Sequence, residues 1–267
     1  MGSYIDKIGV NGTWRKYGLE ECPIEFNGEL TDYKDIVRKD HLVAIVKKSY
    51  CLLPNEEAFR LAQDAAKLAG LQPFIHPYKT IDSEGNCIYD HNRTRMVALW
   101  GSKFQFDQDK IFAGVAVRNS IDGSTTFSTS AFSFRYSCEN MVLTKAKRLS
   151  AQEALAQIWK KHTKSLMPFD VNLKNSMLLV MEQAQDMIRA YEQMKQREVT
   201  GELIERIRKS KLSKKILPEL EVMVKMDEWE LYNSVTEKIW HNEKTGLGSK
   251  QVQFDYLHRV MPLVISA

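Results

Sequence analysis

AVRNSIDGSTTFSTSAFSFRYSCEN, residues 116–140, decides how this chain is read. Asp122-Gly123 is a dipeptide favoured in two-residue type I′ hairpins, where both central residues take positive φ. A two-residue turn there fixes a register. It sets Arg118 opposite Phe127, Ala116 opposite Thr129, Gly114 opposite Ala131 and Phe112 opposite Ser133, with Arg135 further along the same face. The other face pairs Asn119 with Thr126, Val117 with Ser128, Val115 with Ser130, Ala113 with Phe132 and Ile111 with Phe134, and is the natural core side. The first face is small, hydroxylated and carries two arginines. A helix packed on the Gly114–Ala131 end accounts for the small residues, whereas the Arg118 and Arg135 ends are harder to bury without a partner.

Upstream, residues 1–40 mix Gly, Asn, Pro and acids with isolated aromatics and read as a loose N-terminal arm, a candidate for interaction. HLVAIVKKSYCLL (41–53) is β-rich. Asn55 then caps a helix, EEAFRLAQDAAKLAG, with acids in its first turn and Gly70 as its stop. QPFIHPYKTI (72–81) reads as an edge strand because of its prolines, and RTRMVALWGSKF (93–104) as a strand. Downstream the pattern turns helical. A capping box, Ser150-x-x-Glu153, opens a helix over 150–167 that ends before Pro168. A methionine-striped helix follows from 171, then a basic amphipathic one over 200–217, one over 226–240, and a last short one after the loop KTGLGSK (244–250). The fold class is therefore α+β: an antiparallel sheet of about five strands plus a helix over 41–144, then a mostly helical region over 145–267 packed on or extending that core.

The net charge of +4 conceals a segregation. Residues 145–217 hold 16 Lys+Arg against 8 Asp+Glu, residues 1–144 hold 17 against 18, and residues 218–267 hold 5 against 8. A local positive field of this kind attracts polyanions, although a solvated lysine-rich helix face has the same composition. Cys22, Cys51, Cys87 and Cys138 form no Cys-x-x-Cys pair, and the six histidines show no His-x-x-x-His spacing. Neither a metal nor a cofactor is expected. With no apolar run of about 18 residues, no membrane span is expected either, and the chain reads as cytoplasmic.

Sequence-independent binding of single strands needs cations spaced to follow phosphates, aromatic planes for bases, and small residues where the backbone approaches. Arg93, Arg95, Lys103, Arg118 and Arg135, continuing into Lys145, Lys147 and Arg148, are the candidate track. Trp100, Phe112 and Phe127 are candidate stacking planes, set against the commoner fate of aromatics as core. A metal-dependent nuclease is the enzymatic alternative, built from Asp90, Asp107, Asp109, Asp122 and Glu139. Against it, the chain has no acid-x-Lys nuclease motif, Walker loop or Gly-x-Ser-x-Gly elbow, and Asp122 is already explained by its turn. A third alternative is a homo-oligomeric interaction module that binds no nucleic acid, its C-terminal helices docking partners over a scaffold sheet.

The order of landmarks carries a resemblance. Arg118-Asn119-Ser120-x-Asp122-Gly123-Ser124, then Arg135, Cys138-x-Asn140, Lys161-His162-Thr163, and Trp229-x-x-Tyr232-Asn233-x-Val235-Thr236 resemble the phage- and plasmid-related family catalogued as domain of unknown function 932, over roughly residues 40–265. Ile121 departs from the polar residue or histidine expected there. The resemblance implies carriage on mobile elements and brings no established activity. A more distant similarity to single-strand annealing recombinases implies a β-ribbon-plus-helix core, assembly into rings or filaments, and single-stranded DNA laid along a basic groove. The expected function is thus a non-catalytic, oligomeric protein that binds single-stranded DNA or RNA in recombination and strand annealing.

Overall fold

The computed structural model describes residues 13–75, 83–90, 92–106, 109–143, 159–162, 170–212 and 226–261. It is α+β with antiparallel sheets, its helices lying mostly in the C-terminal half. None of the described helices is long and apolar enough to cross a membrane.

Residues 19–38, expected in a loose arm, instead form strands β1 (Leu19–Phe26) and β2 (Glu29–Arg38), which join β3 (His41–Lys47) in a three-stranded antiparallel sheet. Two tight turns make this sheet. Asn27 and Gly28 both have positive φ (53° and 81°), as do Lys39 and Asp40 (47° and 67°), the geometry that matches the twist of flanking strands. Leu19, Ile36 and Val46 point inward and form a small core with Trp14, Leu52 and Ile121.

Helix α1 (Asn55–Leu68) begins after Pro54, and Asn55 makes no cap bond. Its side chain is spent elsewhere, as described below. The helix ends as expected at Gly70 (φ 71°), where the N–H groups of Gly70 and Leu71 donate to the carbonyls of Lys67 and Ala66, a Schellman closure. Short strands β4 (Gln72–Pro73), β5 (Ser83–Glu84) and β6 (Cys87–Tyr89) lead into the main sheet. Of the expected 72–81 strand, Gln72 and Pro73 pair with Gly101 and Trp100 of the main sheet, and residues 76–81 lie outside the described ones.

The main sheet is built on β7 (Arg95–Phe106), β8 (Asp109–Ser120) and β9 (Phe127–Arg135), with β10 (Met141–Leu143) beyond β9. Gly101 faces Gly114 across β7 and β8, and a Cβ on either would collide with the partner backbone at Ala113 O or Trp100 O. Gly114 is therefore small for the sake of its neighbouring strand. Residues 159 and 160, expected within a helix, form strand β11 (Trp159–Lys160) on β9. The rest of the expected 150–167 helix lies outside the described residues, apart from positions 161 and 162.

Helix α2 (Asp170–Met194) lies across β8 and β9, so the helical region shares the main core rather than standing apart. Helices α3 (Gly201–Lys209), α4 (Glu228–Trp240) and α5 (Leu247–Val260) follow. Helix α4 opens with a complete capping box between Asp227 and Glu230.

Candidate nucleic-acid interface

The register of the β8–β9 ribbon differs by one residue from the expected one. Arg118 pairs with Ser128, Ala116 with Ser130, Gly114 with Phe132, and Ile111 with Arg135. The reason lies in the loop, where Gly123 (φ 72°) has positive φ but Asp122 does not, so no type I′ turn forms. Instead Asp122 Oδ1 accepts from the Ser124 N–H at 2.9 Å, and Ser120 Oγ both donates to Thr125 O and accepts from Thr125 N. Side-chain bonds thus close a six-residue connection over 121–126.

One residue of slip exchanges faces. Arg118 shares its face with Val97, Ala116, Ser128, Ser130, Phe132 and Phe134, while Arg135 shares the other with Val117, Thr129, Ala131 and Ser133. The two guanidiniums do not form one cationic surface, and neither face of the ribbon is open. Ser128, Thr129, Ser130 and Ser133 are all buried. Thr129 Oγ1 and Ser133 Oγ bond to Ser176 Oγ and Tyr191 Oη of α2, both at 2.7 Å. On the opposite face the Phe74 ring sits against Phe112, Phe132 and Phe134. Trp100, Phe112 and Phe127 are core residues.

Arg118 is only 9% exposed. Burial pushes its guanidinium down to about 10, against the pull of the Asp255 carboxylate on α5. At neutral pH it remains a buried cation. Arg135, with its side chain 27% exposed, is bound by Asp109, which also accepts from Ser137 Oγ, and lies 5.5 Å from the Trp229 ring centroid. Burial alone would raise the Asp109 pKa, but the hydrogen bonds from Ser137, Arg135 and the Lys110 N–H outweigh it and lower it.

The remaining cations are divided. Arg93 and Arg95 sit at one end of β7. Arg93 lies 4.2 Å from the Tyr89 ring centroid, and Arg95 Nε donates to Ser124 Oγ at 2.6 Å and stands 3.9 Å from Asp122 Oδ2. Lys103 is exposed near Tyr136 towards the far end of the strand, with buried Val97, Leu99 and Gly101 between it and Arg95 on that face. Lys145, Lys147 and Arg148 lie outside the described residues. No continuous track joins the cations that are described.

The landmark residues nevertheless converge, at two places. At the loop corner, Asn119 Nδ2 donates to Leu53 O at 2.8 Å and Asn55 Oδ1 at 2.9 Å, and Asn55 Nδ2 passes the connection on to Arg93 O at 2.9 Å. Arg38 also donates to that carbonyl, which helps hold Arg93 at its unusual φ of 55°. Tyr50 Oη donates to Ser120 O, and its ring lies under Gly123 and stacks on His162 with centroids 5.0 Å apart. Burial lowers the His162 pKa although the Cys51 carbonyl bonds its Nδ1, which favours a neutral imidazole.

At the second place, Asn140 Nδ2 donates to Asn233 O at 3.2 Å, and His241 Nε2 donates to Cys138 O at 3.2 Å, tying the chain after β9 to α4. Burial raises the Cys138 thiol pKa, so it is a poor nucleophile. Tyr50, Arg38 and Asn55 carry no sequence signal for their corner roles. They lie 70, 55 and 64 positions from their partners.

Three acids of the nuclease alternative are engaged separately. Asp90 accepts from Thr94 Oγ1 and the Arg95 N–H, Asp109 holds Arg135, and Asp122 holds its loop; Asp107 lies outside the described residues. Among the described residues no cluster of three His, Cys, Asp or Glu side chains could hold a metal ion.

One exposed cationic surface among the described residues lies on helix α3. Helix α3 buries Leu203, Ile204 and Ile207 and turns Arg206, Arg208 and Lys209 outward, followed by exposed Lys211. Arg208 is paired with Glu205 at 2.8 Å.

No curated protein and no solved structure matches the chain. The family described as "Domain of unknown function (DUF932)" matches residues 43–260, so the loop corner apart from Arg38, the Asn140 clasp and the described helices all fall within it: the chain belongs to the DUF932 family.

Proposed function

We propose that the protein is a non-catalytic, oligomeric binder of single-stranded nucleic acid, and that the strand runs over the helical layer rather than over the β-ribbon. The observation that carries this reading is the outward face of α3 with Lys211, in the segment whose balance is +8. Four cations project there from one helix and its exit, and the apolar side of that helix is already committed to the core. Cations on a rigid element, free of the core, are what a phosphate chain requires. The three long strands crossed by α2 also have the ribbon-plus-helix make-up of annealing proteins, an analogy of architecture that supports the reading without carrying it.

The test is fluorescence anisotropy with labelled single- and double-stranded oligonucleotides at two salt concentrations. The single strand is expected to bind more tightly and to weaken steeply with salt, and the triple variant Arg206→Ala, Lys209→Ala, Lys211→Ala to lose most affinity while keeping its melting temperature. Equal affinity of folded variant and wild type would move the strand elsewhere. Binding of neither oligonucleotide by the wild type would favour the second reading, an interaction module of phage or plasmid origin without nucleic acid, for which the exposed apolar face of the N-terminal sheet speaks.

A further inference from the structure

The three-stranded sheet has two unlike sides. The inner one holds Leu19, Ile36 and Val46 against the body of the protein. Pairing across the strands puts Tyr33, Asp35 and Val37 of β2 on the outer side, with Phe26 of β1 and Leu42 and Ile45 of β3. Phe26 is 71% exposed, Leu42 60% and Ile45 59%. Leu30, on the opposite side of the same hairpin tip as Phe26, is exposed as well. Several large apolar side chains gathered on one exposed face are more than the scattered single residues of an ordinary surface. This hairpin also lies before residue 43, outside the segment that matches the family.

The two edges differ in charge. Strand β1 carries Glu20, Glu21 and Glu25 and no Lys or Arg, with Glu20 paired to Arg15 and Glu21 to Lys34 while Glu25 stands outside these pairs; β3 carries His41 and Lys47, preceded by Asp40 and followed by Lys48. Glu20 and Glu25 are exposed, as are His41, Lys47 and Lys48. Among the described residues β1 and β3 pair only with β2, so each has an outer edge. The shape calls for a partner that brings apolar surface together with positive charge to β1 and negative charge to β3. A second copy of this chain supplies both.

We infer that this sheet is a head-to-tail interface between copies of the chain, in which the acidic β1 edge and Phe26 of one protomer meet the basic β3 edge, Leu42 and Ile45 of the next. Two different patches meet, so the contact is heterologous and propagates into a ring or a filament. A two-fold dimer through β3, running antiparallel, would set Lys47 against His41 and leave the β1 edge unused. Pro23 has no N–H to offer a ladder, and the register of β1 on β2 shifts just after it, so side chains rather than a continued ladder carry the contact. The inference deepens the oligomeric part of the proposed function and is independent of nucleic-acid binding.

The test is light scattering on the full chain without oligonucleotide, across a concentration series. Wild type is expected to assemble beyond a dimer. Leu42→Ser with Ile45→Ser, at exposed positions outside the small core, should give a monomer that stays folded by circular dichroism. Lys47→Glu with Lys48→Glu, and separately Glu20→Lys with Glu25→Lys, should each lose assembly. All four charge reversals in one chain should regain it. A monomeric wild type at every concentration, or charge-reversed variants that assemble like wild type, would overturn the inference. Anisotropy on the α3 variant is read apart from this, so lost nucleic-acid binding with intact assembly leaves the interface standing.

Discussion

Asn119 offers the sharpest perturbation of the loop corner. Its amide is fully buried and donates to Leu53 O and Asn55 Oδ1 at 2.8 and 2.9 Å, joining β8 to the start of α1. Alanine at this position removes both donors and leaves two buried acceptors unsatisfied, each costing about 1–3 kcal/mol. The total comes to roughly 2–6 kcal/mol, which at about 2–4 °C per kcal/mol for a domain of this size lowers the melting temperature by roughly 4–24 °C. Asn55→Ala removes the relay to Arg93 O, so the two substitutions share partners and a double-mutant cycle should show a coupling of about 0.5–3 kcal/mol. Thermal melts by circular dichroism, with wild type, both single variants and the double variant, supply the four values. If Asn119→Ala melts within about 2 °C of wild type, the range of an ordinary surface substitution, the corner is not a structural bolt and its landmark residues need another explanation.

Further outcomes follow from the other contacts. Asn140→Ala should lower the melting temperature, checked by differential scanning calorimetry, because it frees α4 from the chain after β9. Asp109 has a folded-state pKa below its unfolded value, so its contribution is present at neutral pH and is lost as pH falls below about 4; Asp109→Asn should be less stable at pH 7 and show a shallower acid-side decline. Tyr191 is pushed up to about 12 by burial despite its bond to Ser133. The unfolded phenol ionises first, near pH 10, so stability should fall between there and about 12, and Tyr191→Phe should lessen that fall in alkaline melts.

Where local chemistry decides the backbone, the sequence was legible. Gly70 ends α1, the run from 171 makes a long helix, and the α+β order stands. The ribbon was legible as a ribbon but not in register. Asp122-Gly123 promises a two-residue turn, and the competing bonds from Ser120 and Asp122 side chains, invisible in the dipeptide, win instead. From that one residue followed the separation of Arg118 from Arg135. The same turn chemistry at Asn27-Gly28, where both residues do take positive φ, is masked in the sequence by charged flanks that blur the alternation. Lys39-Asp40 reaches that geometry with neither glycine nor asparagine. The Asp255 carboxylate that acts on buried Arg118 lies 137 positions away in sequence, which no local pattern foreshadows.

The central claim is that phosphates meet the helical layer and not the ribbon. The slope of log affinity against log salt for a single-stranded oligonucleotide tests it most directly, compared between wild type and Arg206→Ala, Lys209→Ala, Lys211→Ala. Loss of three phosphate contacts should make the slope shallower by about 2. An unchanged slope in a folded variant would contradict the claim.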